Sequence, residues 1–204
     1  MLTLHCLAYS RAIRVAWLLE DLGQPYDLVT YDRTADFRAP EALRRVHPLG
    51  KSPVIQDGDL LLAESSACLR YIVDTYGADA HRPPRDSVDR IRHEEMLDYV
   101  ESSFAGAAMG VLLPALQSKE PSEGARKRLD THLAYIAGNL TPDALLFGTD
   151  ATLADIQFSY LLANLSHMGF LENAPRIEAY WAALQTQPGY KAAVEKAGPM
   201  APEA

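Results

Sequence analysis

The stretch His47-Pro-Leu-Gly-Lys-Ser-Pro-Val-Ile-Gln-Asp-Gly-Asp-Leu-Leu-Leu-Ala-Glu-Ser-Ser-Ala-Cys-Leu-Arg-Tyr71 decides the fold. Pro53 cannot donate to a sheet ladder, yet Val54 and Ile55 after it read as a strand; the first residue of a strand is one of proline's few allowed sites. Asp57-Gly58, set between Val54-Ile55 and Leu60-Leu61-Leu62, predicts a hairpin whose turn needs positive φ at both central residues. Glu64-Ser65-Ser66 then precede Leu69, Ile72 and Val73 at helical spacing. A helix starting there presents unpaired backbone donors and its positive dipole end beside a carboxylate and two hydroxyls. That arrangement suits a small zwitterionic ligand bearing both an amino group and carboxylates.

Working outward, Leu2 to Leu7 reads as a first strand. Arg11 to Leu22 carries Ile13, Ala16, Trp17, Leu19 and Leu22 on one helical face, closed by Gly23. Pro25 to Tyr31 is a second strand, so the opening segment is a right-handed βαβ unit. Pro40 to Val46 adds a short helix. The order β-α-β-α-β-β-α makes a mixed-sheet α/β domain over residues 1–77. Residues 78–86, with His81-Arg82-Pro83-Pro84-Arg85, read as an inter-domain linker.

Residues 87–204 are expected to be all-helical. A long helix runs from Asp86 or Ser87 to about Gln117, with Gly106, Gly110 and Pro114 as places to kink. Ser122 to Leu140 follows. Thr152-Leu-Ala-Asp155 spells a helix start with a hydroxyl N-cap and an acidic residue at N3. Pro175 to Thr186 and Pro188 to Lys196 are each opened by a proline in the first turn.

Composition narrows the functions. The chain has 204 residues, 48% of them hydrophobic, enough for a full core. Its 27 acidic side chains outnumber 19 basic ones, for a net charge of −8, which argues against nucleic acid or an anionic membrane as the main partner. The longest apolar runs fall short of a membrane span, and Met-Leu-Thr-Leu-His-Cys lacks the pattern of a signal peptide. With only Cys6 and Cys68, neither a disulfide framework nor a dithiol centre is indicated. The expectation is a soluble protein of the cytoplasm, with no metal site.

Three motifs now stand in order: Lys51-Ser52-Pro53-Val54, Glu64-Ser65 and Thr152-Leu-Ala-Asp155. With these motifs the chain resembles the cytosolic glutathione S-transferases over nearly its whole length, and the segment Tyr9-Ser-Arg-Ala-Ile-Arg-Val-Ala-Trp-Leu-Leu-Glu-Asp-Leu-Gly23 is similar to bacterial and fungal members with a Ser-Arg pair at this point. The resemblance implies a thioredoxin-like N-terminal domain followed by a helical domain. It also implies glutathione as a cosubstrate, no tightly bound cofactor, a hydrophobic electrophile as second substrate, and a homodimer. Glu64 and Ser65 would take the γ-glutamyl amino group and carboxylate, the latter aided by the helix N-terminus; Ser65 or Ser66 capping its helix is the plainer alternative. Pro53, if cis, would hold the Ser52 backbone open to the cysteinyl unit, like an added strand. Lys51 would face the glycine carboxylate, with His47 as a further candidate.

For the thiol, counting back from Arg14 to match the serine-using classes places Ser10 at the catalytic position. Tyr9 is the second candidate and Arg11 an electrostatic helper, while Ser10 is also a natural N-cap for the first helix. The second substrate's pocket would lie between the domains, lined from the long helix by residues such as Tyr99, Phe104 and Met109, which are equally suited to core or dimer contacts. The implied activity is attack of the glutathione thiol on an electrophilic carbon, as in detoxification, with reduction of hydroperoxides as a second reaction. The alternative is a non-catalytic module of the same fold that binds hydrophobic ligands or proteins. A thiol transferase using Cys6 is disfavoured, because a thiol inside an apolar strand is usually buried and inert.

Overall fold

The computed structural model describes residues 1–141 and 145–202; those parts of the expected helical span that fall at 142–144 and 203–204 lie outside the described residues. Cα packing divides the chain into two compact units, Met1–Ala80 with Thr186–Ala204, and His81–Gln185.

In the first unit a four-stranded mixed sheet has the order β2-β1-β3-β4. Strand β1 (Leu2–Leu7) runs parallel to β2 (Tyr26–Tyr31), in the register Leu2 to Tyr26 through Leu7 to Tyr31. It runs antiparallel to β3 (Val54–Asp57), which pairs antiparallel with β4 (Leu60–Ala63). Helix α1 (Ala12–Asp21) crosses from β1 to β2, α2 (Glu41–Val46) precedes the Pro53 loop, and α3 (Ser65–Tyr76) follows β4. This is the thioredoxin-like arrangement. Leu2, Leu4 and Cys6 alternate toward a core shared with Ile13, Ala16 and Trp17 of α1 and Leu69, Ile72 and Val73 of α3, all buried.

The hairpin differs from its expected form. Asp57 pairs with Leu60, so the two-residue turn is Gly58-Asp59 and Asp57 belongs to the strand. Gly58 alone of these two has positive φ, at 57°. Glycine at the first central position meets the demand of a turn needing one such residue, not two.

The second unit contains α4 (Val88–Tyr99), a π turn (Val100–Phe104), α5 (Ala105–Leu116), α6 (Glu123–Asn139), α7 (Leu153–His167) and α8 (Pro175–Thr186, whose last residue falls in the first unit). Ser87 and Ser122 cap α4 and α6, accepting from Arg90 N at 3.1 Å and Ala125 N at 3.2 Å. The break in the long helix comes at the π turn, before the glycines. The turn puts Tyr99 and Phe104 five residues apart on one side, their rings stacked at 6.4 Å and 7°. Both rings also meet His132 and Phe158.

The joined helix Val88–Leu116 is long enough to cross a membrane and, at a mean hydropathy of 1.3, apolar enough. This corrects the expectation that every apolar run falls short. One face of the helix, with Val100, Phe104, Ala108, Val111 and Leu112, is buried in the helical unit, where α5 packs on α6 and α7.

Two further differences concern the expected boundaries. The segment read as a linker is tied down from His81 onward: His81 Nδ1 lies 2.8 Å from Ala151 O, and Leu153 N donates to His81 O. The final helix, α9 (Pro188–Ala197), expected to belong to a helical domain at 87–204, packs on α1. A Cβ on Gly189 would fall 2.0 Å from Asp21 Oδ1, so only glycine allows this approach. Tyr190 meets the Trp17 ring edge-on, and Lys196 Nζ bonds Glu20 at 2.9 Å while lying 3.9 Å above the Tyr26 ring. These contacts give the C-terminal helix an apolar edge and one ion pair to dock with.

Candidate functional site

The expected glutathione-contacting residues all fall in the first unit, on three segments: the end of β1, the loop before β3 and the start of α3. Ser10 is 5% exposed and bridges two of its neighbours. Its Oγ accepts from Ala12 N at 3.2 Å and donates to Ser52 Oγ at 3.3 Å. Ser10 thus does the capping work expected of it while facing the proline loop; α1 itself begins at Ala12, not Arg11, with Arg11 at the N-cap position.

Ser52 Oγ is the hub. It donates to His5 O at 2.9 Å and accepts from Leu7 N at 3.0 Å as well as from Ser10. The Ser52-Pro53 peptide bond is cis, Pro53 is buried, and Lys51 beside them is exposed. His47 is half-buried at the end of α2, with Nδ1 buried and lacking a hydrogen-bond partner.

At α3 the N-cap position is Glu64, exposed and held at φ 69°, ψ 117°, and its side chain makes no cap bond. Ser65 is 4% exposed, and its Oγ accepts from Arg14 Nη1 at 3.0 Å. The N-cap position thus falls to Glu64 rather than to Ser65 or Ser66. A non-glycine residue held in the left-handed region costs about 1–3 kcal/mol, and such residues gather at ligand sites. Arg14 itself is fully buried. Sequence reading used it only as a counting mark; the signal available was a cation on the apolar face of an amphipathic helix, one turn after Ser10.

Tyr9 is likewise left-handed, at φ 52°, as is Phe37 at φ 59°. Their rings stack at 6.3 Å and 11°. One guanidinium holds both backbones: Arg33 donates from Nη2 to Tyr9 O at 3.0 Å, from Nη1 to Phe37 O at 3.0 Å, and from Nε to Ala8 O at 2.8 Å. Its charge also lies 4.4 Å from the Phe37 ring centroid. No local pattern marks this brace on the turn before Ser10, because its bonds to Ala8 and Tyr9 span 25 and 24 positions in sequence.

Cys6 and Cys68 are free and buried, and burial pushes each thiol up to about 12. Neither is a thiolate near neutral pH, so a thiol transferase built on Cys6 has no nucleophile. Among the described residues, no group of three or more histidine, cysteine and acidic side chains is placed to hold a metal ion.

The three residues expected at the second substrate's pocket lie in the second unit. Phe104 is fully buried in the aromatic cluster with Tyr99, His132 and Phe158, which makes it a core residue and corrects its assignment to a pocket wall. Tyr99 is half-buried, and its hydroxyl lies 2.5 Å from His132 Nδ1. Met109 is half-buried on α5. The same unit holds the Thr152 motif as read: Thr152 N and Oγ1 both donate to Asp155 Oδ2, at 2.9 and 2.6 Å, in a complete capping box.

The mixed sheet in the order β2-β1-β3-β4, with helices after β1, β2 and β4, defines a protein of the thioredoxin-like fold. Residues 2–74 match the family model described as the glutathione S-transferase N-terminal domain. A solved glutathione S-transferase from Actinobacillus pleuropneumoniae is 31% identical, covering 97% of this chain and 93% of that one, with a TM-score of 0.86. Glutathione S-transferase 3 of Schizosaccharomyces pombe is 38% identical over 104 residues, spanning 51% of this chain and 43% of that relative. Glutathione S-transferase 1 of Saccharomyces cerevisiae is 28% identical over 97% of this chain and 95% of its own length. The chain belongs to the glutathione S-transferase family.

Proposed function

We propose that this chain is a glutathione S-transferase that activates the glutathione thiol through Ser10 and passes it to a hydrophobic electrophile. The observation that carries the residue assignment is the Ser10 hydroxyl, buried and 3.3 Å from Ser52 Oγ beside the proline loop. That contact is long for two hydroxyls. A thiolate is a charged acceptor and makes the stronger partner, so the Ser10 proton turns to the sulfur when glutathione binds. Tyr9, the adjoining residue, is the second candidate for that donor.

The remaining roles follow the chain. The Ser52 backbone pairs with the cysteinyl unit beside Pro53, Lys51 sits by the glycine carboxylate, and Glu64 and Ser65 take the γ-glutamyl amino group and carboxylate at the start of α3. Glutathione is a cosubstrate and no tightly bound cofactor enters the reaction.

Magnitudes divide the labour. A thiol of pKa about 8.5 is roughly 3% ionised at pH 7, and lowering it by about two units gives roughly 75%. Lower basicity also weakens the nucleophile, with a Brønsted slope of about 0.4–0.5, so the net gain is a few-fold. Holding the electrophile against the sulfur supplies the rest. Tyr99 and Met109 remain the candidates for that second pocket. Detoxifying conjugation, hydroperoxide reduction as a second reaction, a homodimeric state and a cytoplasmic location complete the proposal.

The test is calorimetric titration with glutathione, followed by turnover on a panel of aryl halides, epoxides and hydroperoxides. Micromolar to millimolar binding with turnover on at least one class is expected. Binding with no turnover across the panel would leave a glutathione-binding module and overturn the enzymatic reading.

A further inference from the structure

Arg14 is a charged side chain with no exposed surface, and it joins the two ends of the site. It stands in the first turn of α1, four residues after Ser10, where Arg14 N donates to Arg11 O at 3.2 Å. Its Nη1 reaches across to Ser65 Oγ at 3.0 Å, on the first residue of α3. The link spans 51 positions in sequence and connects the element that follows Ser10 to the element proposed to receive the γ-glutamyl carboxylate.

The direction of this hydrogen bond matters. A guanidinium has donors only, so Ser65 Oγ is the acceptor, and the hydroxyl's own proton is not used in that bond. The bond therefore steers the Ser65 proton away from α1. Donation from a cation also polarises the hydroxyl, which strengthens its own donation to an anion. Arginine suits such a place, because it stays charged when buried and its planar fork fixes the direction of each donor.

We propose that Arg14 is a positioning residue for glutathione: it holds Ser65 as an outward donor to the γ-glutamyl carboxylate and locks that end of the site to the helix that follows Ser10. The proposal rests on the glutathione-site reading above. It assigns no contact between Arg14 and the ligand.

The experiment pairs protein and ligand variants. Wild type, Arg14→Met, Arg14→Lys and Ser65→Ala are titrated with glutathione and with 4-aminobutyryl-cysteinyl-glycine, which keeps the amino group and lacks the carboxylate. Steady-state kinetics at a fixed electrophile concentration and thermal melting accompany each. Arg14→Met is expected to weaken glutathione binding at least about tenfold, with kcat at saturating glutathione within about threefold of wild type. Its affinity for the carboxylate-free analogue should stay within about twofold of wild type. Arg14→Lys should recover part of the loss. A purely structural role predicts equal losses for both ligands, and that result would overturn the inference. If Ser65→Ala leaves glutathione affinity unchanged, the reading of the site itself fails; if Ser65→Ala weakens binding and Arg14→Met does not, only the present inference fails. Should Arg14→Met not fold, the same ligand comparison on Arg14→Lys decides.

Discussion

Two helix starts in this chain use the same chemistry to opposite ends. At α7, a hydroxyl and a carboxylate, Thr152 and Asp155, turn back on their own backbone. Asp155 has no exposed surface and accepts from Thr152 N, Thr152 Oγ1, Leu146 N and Tyr180 OH. The next helical donors are met as well, since Leu153 N reaches His81 O and Ala154 N reaches His93 Nε2. At α3, the carboxylate of Glu64 holds the N-cap position and makes no cap bond, and the hydroxyl of Ser65 is turned to another helix. Glu64 is exposed and left-handed, and Ser65 accepts from Arg14. A helix start closed on itself supplies stability; the other start is the one proposed above to receive the γ-glutamyl carboxylate. Residue order explains the difference. A carboxylate three places after the hydroxyl can reach back to the N-cap, whereas a glutamate directly before the serine cannot.

The sharpest way to break this comparison is to open the closed end. Asp155→Ala strands four donors in a buried place, and breaking such a network costs about 3–5 kcal/mol. Chemical denaturation should show that loss. Burial pushes this carboxyl upward while its four donors pull it down, so Asp155→Asn, which keeps the shape, should lose less. At a temperature where Asp155→Ala is still folded, its glutathione affinity should match wild type within about twofold. A weakening well beyond that would mean the two helix starts are not separate in function.

The next effect is a pH dependence at the same closed end. His93 is fully buried, and burial lowers its pKa to about 4, with Glu94 Oε1 3.2 Å from Nδ1 pulling the other way. The neutral ring accepts from Ala154 N. An unfolded histidine titrates near 6.5, so between about 6.5 and 4 the unfolded chain binds the extra proton. Stability is therefore fully present above about pH 6.5 and falls as pH drops toward 4, at no more than about 1.4 kcal/mol per unit. His93→Gln keeps an acceptor without a titrating group. Its denaturation midpoint should show a shallower decline over that window, and an unchanged slope would remove His93 as the cause.

A third experiment moves to the start of α1, which Arg14 ties to the open end at Ser65. Ser10→Ala removes the proposed donor to the sulfur and leaves Ala12 N, which donates to Ser10 Oγ, open to water. If the bound thiol rises from about 6.5 to 8.5, ionisation alone predicts a loss of roughly sixfold at pH 6.5 after the gain in nucleophilicity is counted. Loss of the sulfur's placement adds to this at every pH. The ratio of wild-type to variant kcat/KM should fall as pH rises to 8.5. A ratio independent of pH would point to Tyr9 or a backbone donor as the activating group.

What the sequence reveals about these two ends follows from how local each device is. The capping box is spelled within four residues, so Thr152 and Asp155 are readable without any structure. Strand β1 is read to the residue, because six apolar or half-apolar positions end at a turn signal. The hairpin is legible but its turn is displaced by one, since Asp57-Gly58 and Gly58-Asp59 both place the glycine well and only the pairing of Asp57 with Leu60 chooses between them. The Arg14–Ser65 bond and the Arg33 brace join residues 51 and up to 25 apart, and no local pattern announces them. Phe104 misleads for the opposite reason. An aromatic residue on a long helix reads the same from sequence whether it lines a pocket or fills a core, and the π turn that rotates it inward has no sequence mark.

The smallest effect belongs to Cys6, which sits on β1 just before the turn that carries Ser10. The strand's alternation buries it with Leu2 and Leu4, at 1% exposure, and its thiol is held up to about 12. A protein thiolate is thereby denied to the site, although Ser10 lies only four residues on. Cys6→Ala removes one sulfur from a packed core, worth about 1 kcal/mol or a little more. Its kcat/KM should stay within about twofold of wild type at every pH between 6 and 9. Iodoacetamide, which attacks thiolates, should leave the native protein unlabelled at Cys6 and label it after unfolding. A large fall in turnover for Cys6→Ala, paired with little change for Ser10→Ala, would move the chemistry from the helix-start hydroxyl to the strand. That outcome is opposed by the burial of Cys6 in the sheet core and by the position of Ser10 against Ser52.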